Sequence, residues 1–270
     1  MKEGSWLVWT GIKRGIQGGI KRFAKGQFAG FISFLILWEV FHLLLNTHTV
    51  PSPLETLVYI VKVPGVLLLH CGASLLRVMA AIGISLLIGV PAGILMGVNE
   101  TCKRLLSPLL YFIYPMPKIA FLPIFMLLFG LGNTSKIILM IWIIIFQMIL
   151  SVRDGVEQIP PSYFKVMDSF CATAGQRYRY LILPAILPQI FSGLRISIGI
   201  TLASLFFAEN YAAVYGIGYY ILSAWSKMDY VEMFGGILVI GLVGVLLFNL
   251  LDLLERLSVP RGTNPRKKNP

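Results

Sequence analysis

Apolar residues in this chain come in long blocks separated by short polar stretches. A membrane-crossing helix needs about 20 predominantly apolar residues. Windows at about residues 28–45, 73–98, 105–131, 137–152, 186–208 and 234–254 reach or approach that length. Backbone in lipid finds no water to bond, so windows of this kind are read as α-helices. The pattern predicts an all-α, polytopic membrane protein with six transmembrane helices. The first window has a basic flank, as a signal peptide has. Its apolar run is longer than a signal core and no A-x-A-like site follows, so it is read as a retained span.

Interruptions inside the windows carry further information. Gly89, Gly93 and Gly97 recur every fourth residue, a spacing that lets two helix backbones approach closely. Pro115, Pro117 and Pro123, with Lys118 among them, crowd the third window and predict broken backbone. Residues 46–70 read as a loop with a rigid extended stretch at Val50-Pro51-Ser52-Pro53. Glu39 and His42 sit three apart on one face of the first span.

Composition sharpens the membrane reading. Hydrophobic residues make up 57% of the chain and charged ones 13%, against roughly 25% charged in a soluble domain; the mean hydropathy is +0.79. The net charge of +11 and pI of about 9.7 would suggest nucleic acid in a soluble protein. Here the basic residues flank apolar blocks and build no folded face of their own, so the expected partner is membrane lipid and not nucleic acid. With the N-terminus inside, 17 of the 23 lysines and arginines fall on inside segments, which agrees with an even number of spans and places both termini in the cytoplasm. Residues 1–27 are expected to form a basic arm or interfacial helix, residues 28–256 the transmembrane domain, and residues 257–270 a disordered basic tail. Arg77 and Arg195, near span ends, are expected to snorkel to headgroups. Asp252 and Glu255 are expected to pair with Arg256 or a neighbouring loop.

Cys71, Cys102 and Cys171 show no C-x-x-C spacing, and His42, His48 and His70 lack metal-ligand spacing. No G-x-S-x-G, H-E-x-x-H or phosphate-binding G-x-x-x-x-G-K-[ST] run occurs. No metal, no cofactor and no catalytic set is therefore expected in this chain.

The segment 153–185 stands out as a long inside loop between the fourth and fifth spans. It reads as two short helices, one near Pro161–Ala174 opened by Pro160-Pro161 and one near Gln176–Leu183 ended by Pro184. Tyr163, Phe164, Met167, Phe170 and Cys171 recur at helical spacing, a face suited to a groove on a partner.

Lys165-Val166-Met167, then Cys171, then Leu181-Ile182-Leu183-Pro184 resembles the coupling-loop motif of ABC-importer permeases. That motif runs Glu-Ala-Ala, three residues, Gly, nine residues, Ile-x-Leu-Pro. The spacing matches throughout; Lys165 stands where an acid is usual and Cys171 where glycine is usual. Val50-Pro51-Ser52-Pro53, Ala73-Ser74-Leu75-Leu76-Arg77, Gly93-Ile94-Leu95-Met96-Gly97 and Pro115-Met116-Pro117-Lys118-Ile119-Ala120-Phe121-Leu122-Pro123 are similar to permeases of the nitrate, sulfonate, taurine and bicarbonate group. Phe129-Gly130-Leu131-Gly132, Ser192-Gly193-Leu194-Arg195, Ala208-Glu209 and Gly216-Ile217-Gly218-Tyr219 continue the likeness.

The resemblance implies a type I ABC-importer permease fold in the inner or plasma membrane of a prokaryote. It implies a solute pathway shared with a second permease copy or homologue, and a binding protein that delivers solute from outside. It also implies ABC ATPase subunits that bind ATP and Mg. The docking residues it implies are Tyr163, Phe164, Lys165, Val166, Met167, Asp168, Phe170, Cys171, Gly175, Leu183 and Pro184. Candidate pathway-lining residues are Glu39, Pro117, Lys118, Ser204, Glu209 and Asn210, with interhelix bonding left open for Glu39, His42, Glu209 and Asn210. The solute expected is a small anion or organic molecule of the nitrate, sulfonate, taurine, bicarbonate or vitamin-precursor class. The alternative is a stand-alone secondary transporter or channel, which offers no reason for a docking loop ending in Leu-Pro.

Overall fold

Helix α6 (Asn133–Glu157) organises the molecule because its neighbours reach it through glycine. The computed structural model describes residue 26 and residues 28–259. On α3 (Pro64–Val98), the three glycines spaced by four face α6. A Cβ placed on Gly93 would lie 2.7 Å from Val152 Cβ and 2.8 Å from the Ile149 carbonyl, and one on Gly97 would lie 2.5 Å from Val156 Cβ. No side chain fits between these backbones. On the other side of α6, Gly193 of α9 (Leu183–Glu209) lies against Ser151. Val78, Ile144, Met148, Val152, Ile186 and Ile198 fill the core between the three helices.

The remaining elements are α1 (Phe28–Leu45), α2 (Pro53–Lys62), α4 (Glu100–Ile113), α5 (Leu122–Phe129), α7 (Pro161–Ser169), α8 (Ala174–Arg177), α10 (Ile217–Ser226) and α11 (Tyr230–Ser258). A 3-10 turn at Lys118–Phe121 precedes α5, and a π turn at Tyr178–Ile182 joins α8 to α9. No strand occurs among the described residues. Among the described residues, five helical runs are long and apolar enough to cross a membrane, or six if the bent pair Glu100–Ile113 and Lys118–Phe129 is one span.

That pair turns by 89°, yet it travels the length of α6. Lys103 pairs with Glu157 at 3.0 Å, Tyr111 accepts from Arg153 at 3.1 Å, Tyr114 donates to Gln147 at 2.8 Å, and Phe121 packs on Trp142. The order is antiparallel throughout. The 153–185 loop therefore marks one end of the bundle, and the 130–133 turn marks the other.

Peripheral helices are held more lightly. Trp38 anchors α1, stacked on Phe234 with ring centroids 5.3 Å apart and donating to the Pro51 carbonyl at 3.1 Å. Most other apolar side chains of α1 are exposed, as suits a lipid-facing helix.

The structure corrects several expectations. The segment read as a loop over residues 46–70 contains α2, started by Ser52, whose Oγ accepts from Glu55 N at 3.1 Å, with Pro53 at the first turn. It also contains the first turns of α3, which begins at Pro64. The second loop helix does not end at Pro184. The π turn widens the backbone so that Leu183 N bonds back to Tyr178 O, and the helix runs on through the proline to Glu209. Arg195 does not snorkel: it donates to Asp252 at 2.5 Å and Glu255 at 2.9 Å, which ties α9 to α11. The arm over residues 1–27, apart from residue 26, and the tail beyond residue 259 lie outside the described residues.

Candidate functional site

The 153–185 loop is closed by local bonds. Helix α7 closes through two reverse bonds, Ala172 N to Met167 O at 3.0 Å and Cys171 N to Asp168 O at 2.9 Å. This is the pairing of a Schellman cap, in which the residue after the helix takes a left-handed backbone. Cys171 occupies that position with φ +50°. The geometry explains why the related motif carries glycine there: a side chain in the left-handed region costs roughly 1–2 kcal/mol. Helix α8 opens with a capping box, Thr173 N to Gln176 Oε1 at 2.8 Å and Gln176 N to Thr173 Oγ1 at 3.4 Å. Arg177 and Asp168 clamp the two turns at 2.7 Å.

This unit divides its apolar residues between two faces. Phe164 packs against the main core, and Met167 is half-buried beside it in sequence and face. Tyr163, Val166 and Phe170, at helical positions i, i+3 and i+7, point outward and are 56%, 53% and 79% exposed. Lys165, Asp168, Cys171 and Gly175 are exposed, while Leu183 and Pro184 are half-buried at the root of α9.

The opposite end is built from long-range contacts. Glu209, fully buried at the end of α9, pairs with Arg77 of α3. Its carboxylate also accepts from Ser74 Oγ at 2.8 Å and Gly218 N at 2.9 Å. Arg77 donates further to Asn133 Oδ1 at 2.9 Å and Tyr215 O at 2.7 Å. Gly216 has φ +147° and lies over the carboxylate, so a side chain there meets Glu209 directly. Lys136, 1% exposed, spends its ammonium on the carbonyls of Leu131, Gly132 and Ala212 at 3.0–3.2 Å. The burial of Arg77 corrects the snorkelling expectation for it. For Glu209 the arrangement is interhelix bonding, the second of the two roles left open.

The other candidate lining residues are scattered. Ser204 is buried on α9, Glu39 is half-buried on α1, and Asn210 donates to the carbonyls of Phe206 at 3.1 Å and Gly218 at 3.0 Å. Pro117 is exposed at the break between α4 and α5, and Lys118 is half-buried there. Sequence reading does not connect Ser74, Asn133 and Lys136 with this end; Ser74 and Asn133 find their side-chain partners far away in the chain, and Lys136 reaches one distant carbonyl, that of Ala212, besides two nearby ones. Between α2 and α10, the hydroxyls of Tyr59 and Tyr220 bond at 2.8 Å, and burial pushes both phenols above their ordinary range. A polar cleft of about 830 Å³ at this end is lined by His42, His48, Glu55, Lys227, Asp229 and Tyr230 among others. Among the described residues, no three histidine, cysteine or acidic side chains are placed to hold a metal.

Among the described residues, five or six apolar spans form a helical bundle with an exposed helix pair inserted before a long helix. Residues 89–263 match the binding-protein-dependent transport system inner membrane component family. The taurine transport system permease protein TauC of Escherichia coli is 33% identical over 83% of this chain and 85% of its own length. The bicarbonate transport system permease protein CmpB of Synechococcus elongatus is 30% identical over 84% and 87%. The formylaminopyrimidine transport permease protein ThiX of Halalkalibacterium halodurans is 26% identical over 85% and 93%. In fold, the chain is similar to the MetNI methionine ABC transporter in an inward-facing conformation, with a TM-score of 0.60 and 18% identity over 70% of this chain and 94% of that one. The chain belongs to this family of ABC-importer permeases.

Proposed function

We propose that this chain forms half of a solute pathway and receives its energy through the 153–185 loop. The observation that carries the proposal is the exposed row Tyr163, Val166 and Phe170 on a helix whose opposite face is anchored in the core. Aromatic side chains at such exposure are costly in water and favourable in a partner's groove. An ATPase subunit is that partner, and it binds the ATP and Mg. A second permease, the same or homologous, completes the pathway, and a binding protein delivers solute to the end that holds Glu209. That orientation places both termini in the cytoplasm, as the lysine and arginine bias requires. Alternating access then follows from one rigid half rocking against the other.

The solute is a small anion or organic molecule. Taurine and bicarbonate in the names of the relatives favour an anionic group, while formylaminopyrimidine keeps a heterocycle in the class.

Co-purification tests the docking assignment. Tagged wild-type protein brings down an ATPase subunit from its native host, and Phe170→Glu releases it while the permease keeps its elution volume and melting temperature. If the ATPase never co-purifies, or stays bound to Phe170→Glu combined with Tyr163→Glu, the assignment is wrong.

A further inference from the structure

Lys118 differs from the other cations buried in the bundle. Arg77, Arg153 and Arg195 each hold a carboxylate, and Lys136 satisfies its ammonium with three carbonyls. Lys118 sits half-buried at the α4–α5 break, and its Nζ donates to a single carbonyl, that of Tyr114 at 2.8 Å, while lying 5.0 Å from the Tyr114 ring centroid. Among the described residues, no carboxylate lies within ion-pair distance of it. An ammonium has three donors, so most of this one's hydrogen-bonding capacity is open at the depth of a broken span.

A polar track leads away from it. The hydroxyl of Tyr114 donates to Gln147 Oε1 at 2.8 Å, and Gln147 Nε2 donates to Ser151 Oγ at 3.2 Å. Beyond Ser151 the seam of α6 and α9 carries Gln189, whose Nε2 donates to Gln158 Oε1 at 3.1 Å near the coupling-loop end. Gln147, Ser151 and Gln158 lie at i, i+4 and i+11, one stripe of α6. Gln147 and Ser151 are half-exposed and Gln158 is exposed. The contrast with other spans is that α1 and α11 leave apolar faces open, whereas on α6, the most covered span, the partly open positions include Gln147 and Ser151 beside isoleucines. A polar stripe open to lipid is costly, so this face meets water or a partner.

We infer that Lys118 and the Tyr114–Gln147–Ser151 track form an anion-selective step of the pathway, open from the 153–185 loop end. The ligand class is an anionic head such as a sulfonate, carboxylate or inorganic oxyanion, for which an unpaired ammonium is the complementary charge. The inference rests on the permease reading above and adds the side chains that select the solute's charge.

Thiol labelling tests it with small charged reagents in place of the solute. The full chain, with its three cysteines changed to serine, carries Gln147→Cys or Ser151→Cys as a reporter in inside-out membrane vesicles. Each is treated with an anionic sulfonatoethyl and a cationic trimethylammonioethyl methanethiosulfonate. The ratio of rates is divided by the ratio at native Cys171, exposed on the loop, in a variant that keeps only that cysteine. Both reporters react, and the normalised ratio favours the anionic reagent by about tenfold, the lower end of charge focusing in a cleft. Lys118→Met abolishes that preference and Lys118→Arg retains it. Unreactive reporters, an absent preference, or a preference that survives Lys118→Met each overturns the inference. ATPase co-purification from the same membranes reads the docking assignment separately, because the labelling needs no nucleotide.

Discussion

The two ends of the bundle are held together by opposite means. At the coupling-loop end, the caps at Cys171 and Thr173 and the Asp168–Arg177 pair all join residues within ten positions of one another. At the other end, Arg77 meets Glu209 across 132 positions, Ser74 meets Glu209 across 135, and His70 meets the Gly216 carbonyl across 146. The first end closes its two short helices through local bonds, rests on the core through Phe164, and offers an exposed apolar face. The second exists only when α3, α6, α9 and α10 are all in place, and it offers nothing outward from its charged centre. Local closure fixes the shape of the two short helices themselves, whereas long-range closure fixes the positions of several helices relative to one another.

Removing one partner of the buried pair gives the largest effect. Arg77→Met leaves the Glu209 carboxylate uncompensated and costs about 3–5 kcal/mol, while Arg77→Met with Glu209→Leu recovers much of that loss. Thermal unfolding of the three proteins in one detergent checks this. A double variant no better than the single shows that the pair does not fix the helices as described. The second effect belongs to neither end. Gly93→Ala forces α3 off α6 because the Ile149 carbonyl, unlike a side-chain tip, cannot swing aside, and a cost of about 1–3 kcal/mol in the same assay is expected. The third effect is a gain: Cys171→Gly relieves the left-handed strain at the cap and stabilises α7 by about 1 kcal/mol. Amide exchange on α7 slows several-fold, and exchange around Glu209 stays unchanged. A gain at both ends contradicts the independence of the two.

The same division governs what the amino-acid order reveals. The short helix α7 in the 153–185 loop is legible because its determinants are neighbours: a proline pair and aromatic residues at helical spacing. The glycine row of α3 is legible as a close approach, though not which helix approaches. Helix α2 reads as loop by hydropathy although Ser52-Pro53-Leu54-Glu55 carries an N-cap, a first-turn proline and an acid three residues later, a complete start signal. Its ten residues are too few to stand out among the long apolar windows. Arg77 misleads for a different reason. A lone arginine near a span end has two economical solutions, headgroup or buried carboxylate, and only the packing of a helix far along the chain decides between them. The stop expected at Pro184 fails because a π turn removes the clash that makes proline a terminator.

That π turn has a mechanical consequence. From Ala174 to Glu209 the chain is one helical run of 36 residues, a rod of about 54 Å at the usual rise. One extremity roots the α7–α8 unit and the other carries the carboxylate that grips Arg77. If the 153–185 loop docks as proposed, a displacement there reaches Glu209 along one helix, with no interhelical loop between the two ends, and the widened turn at Tyr178–Ile182 lies at the loop end of that run.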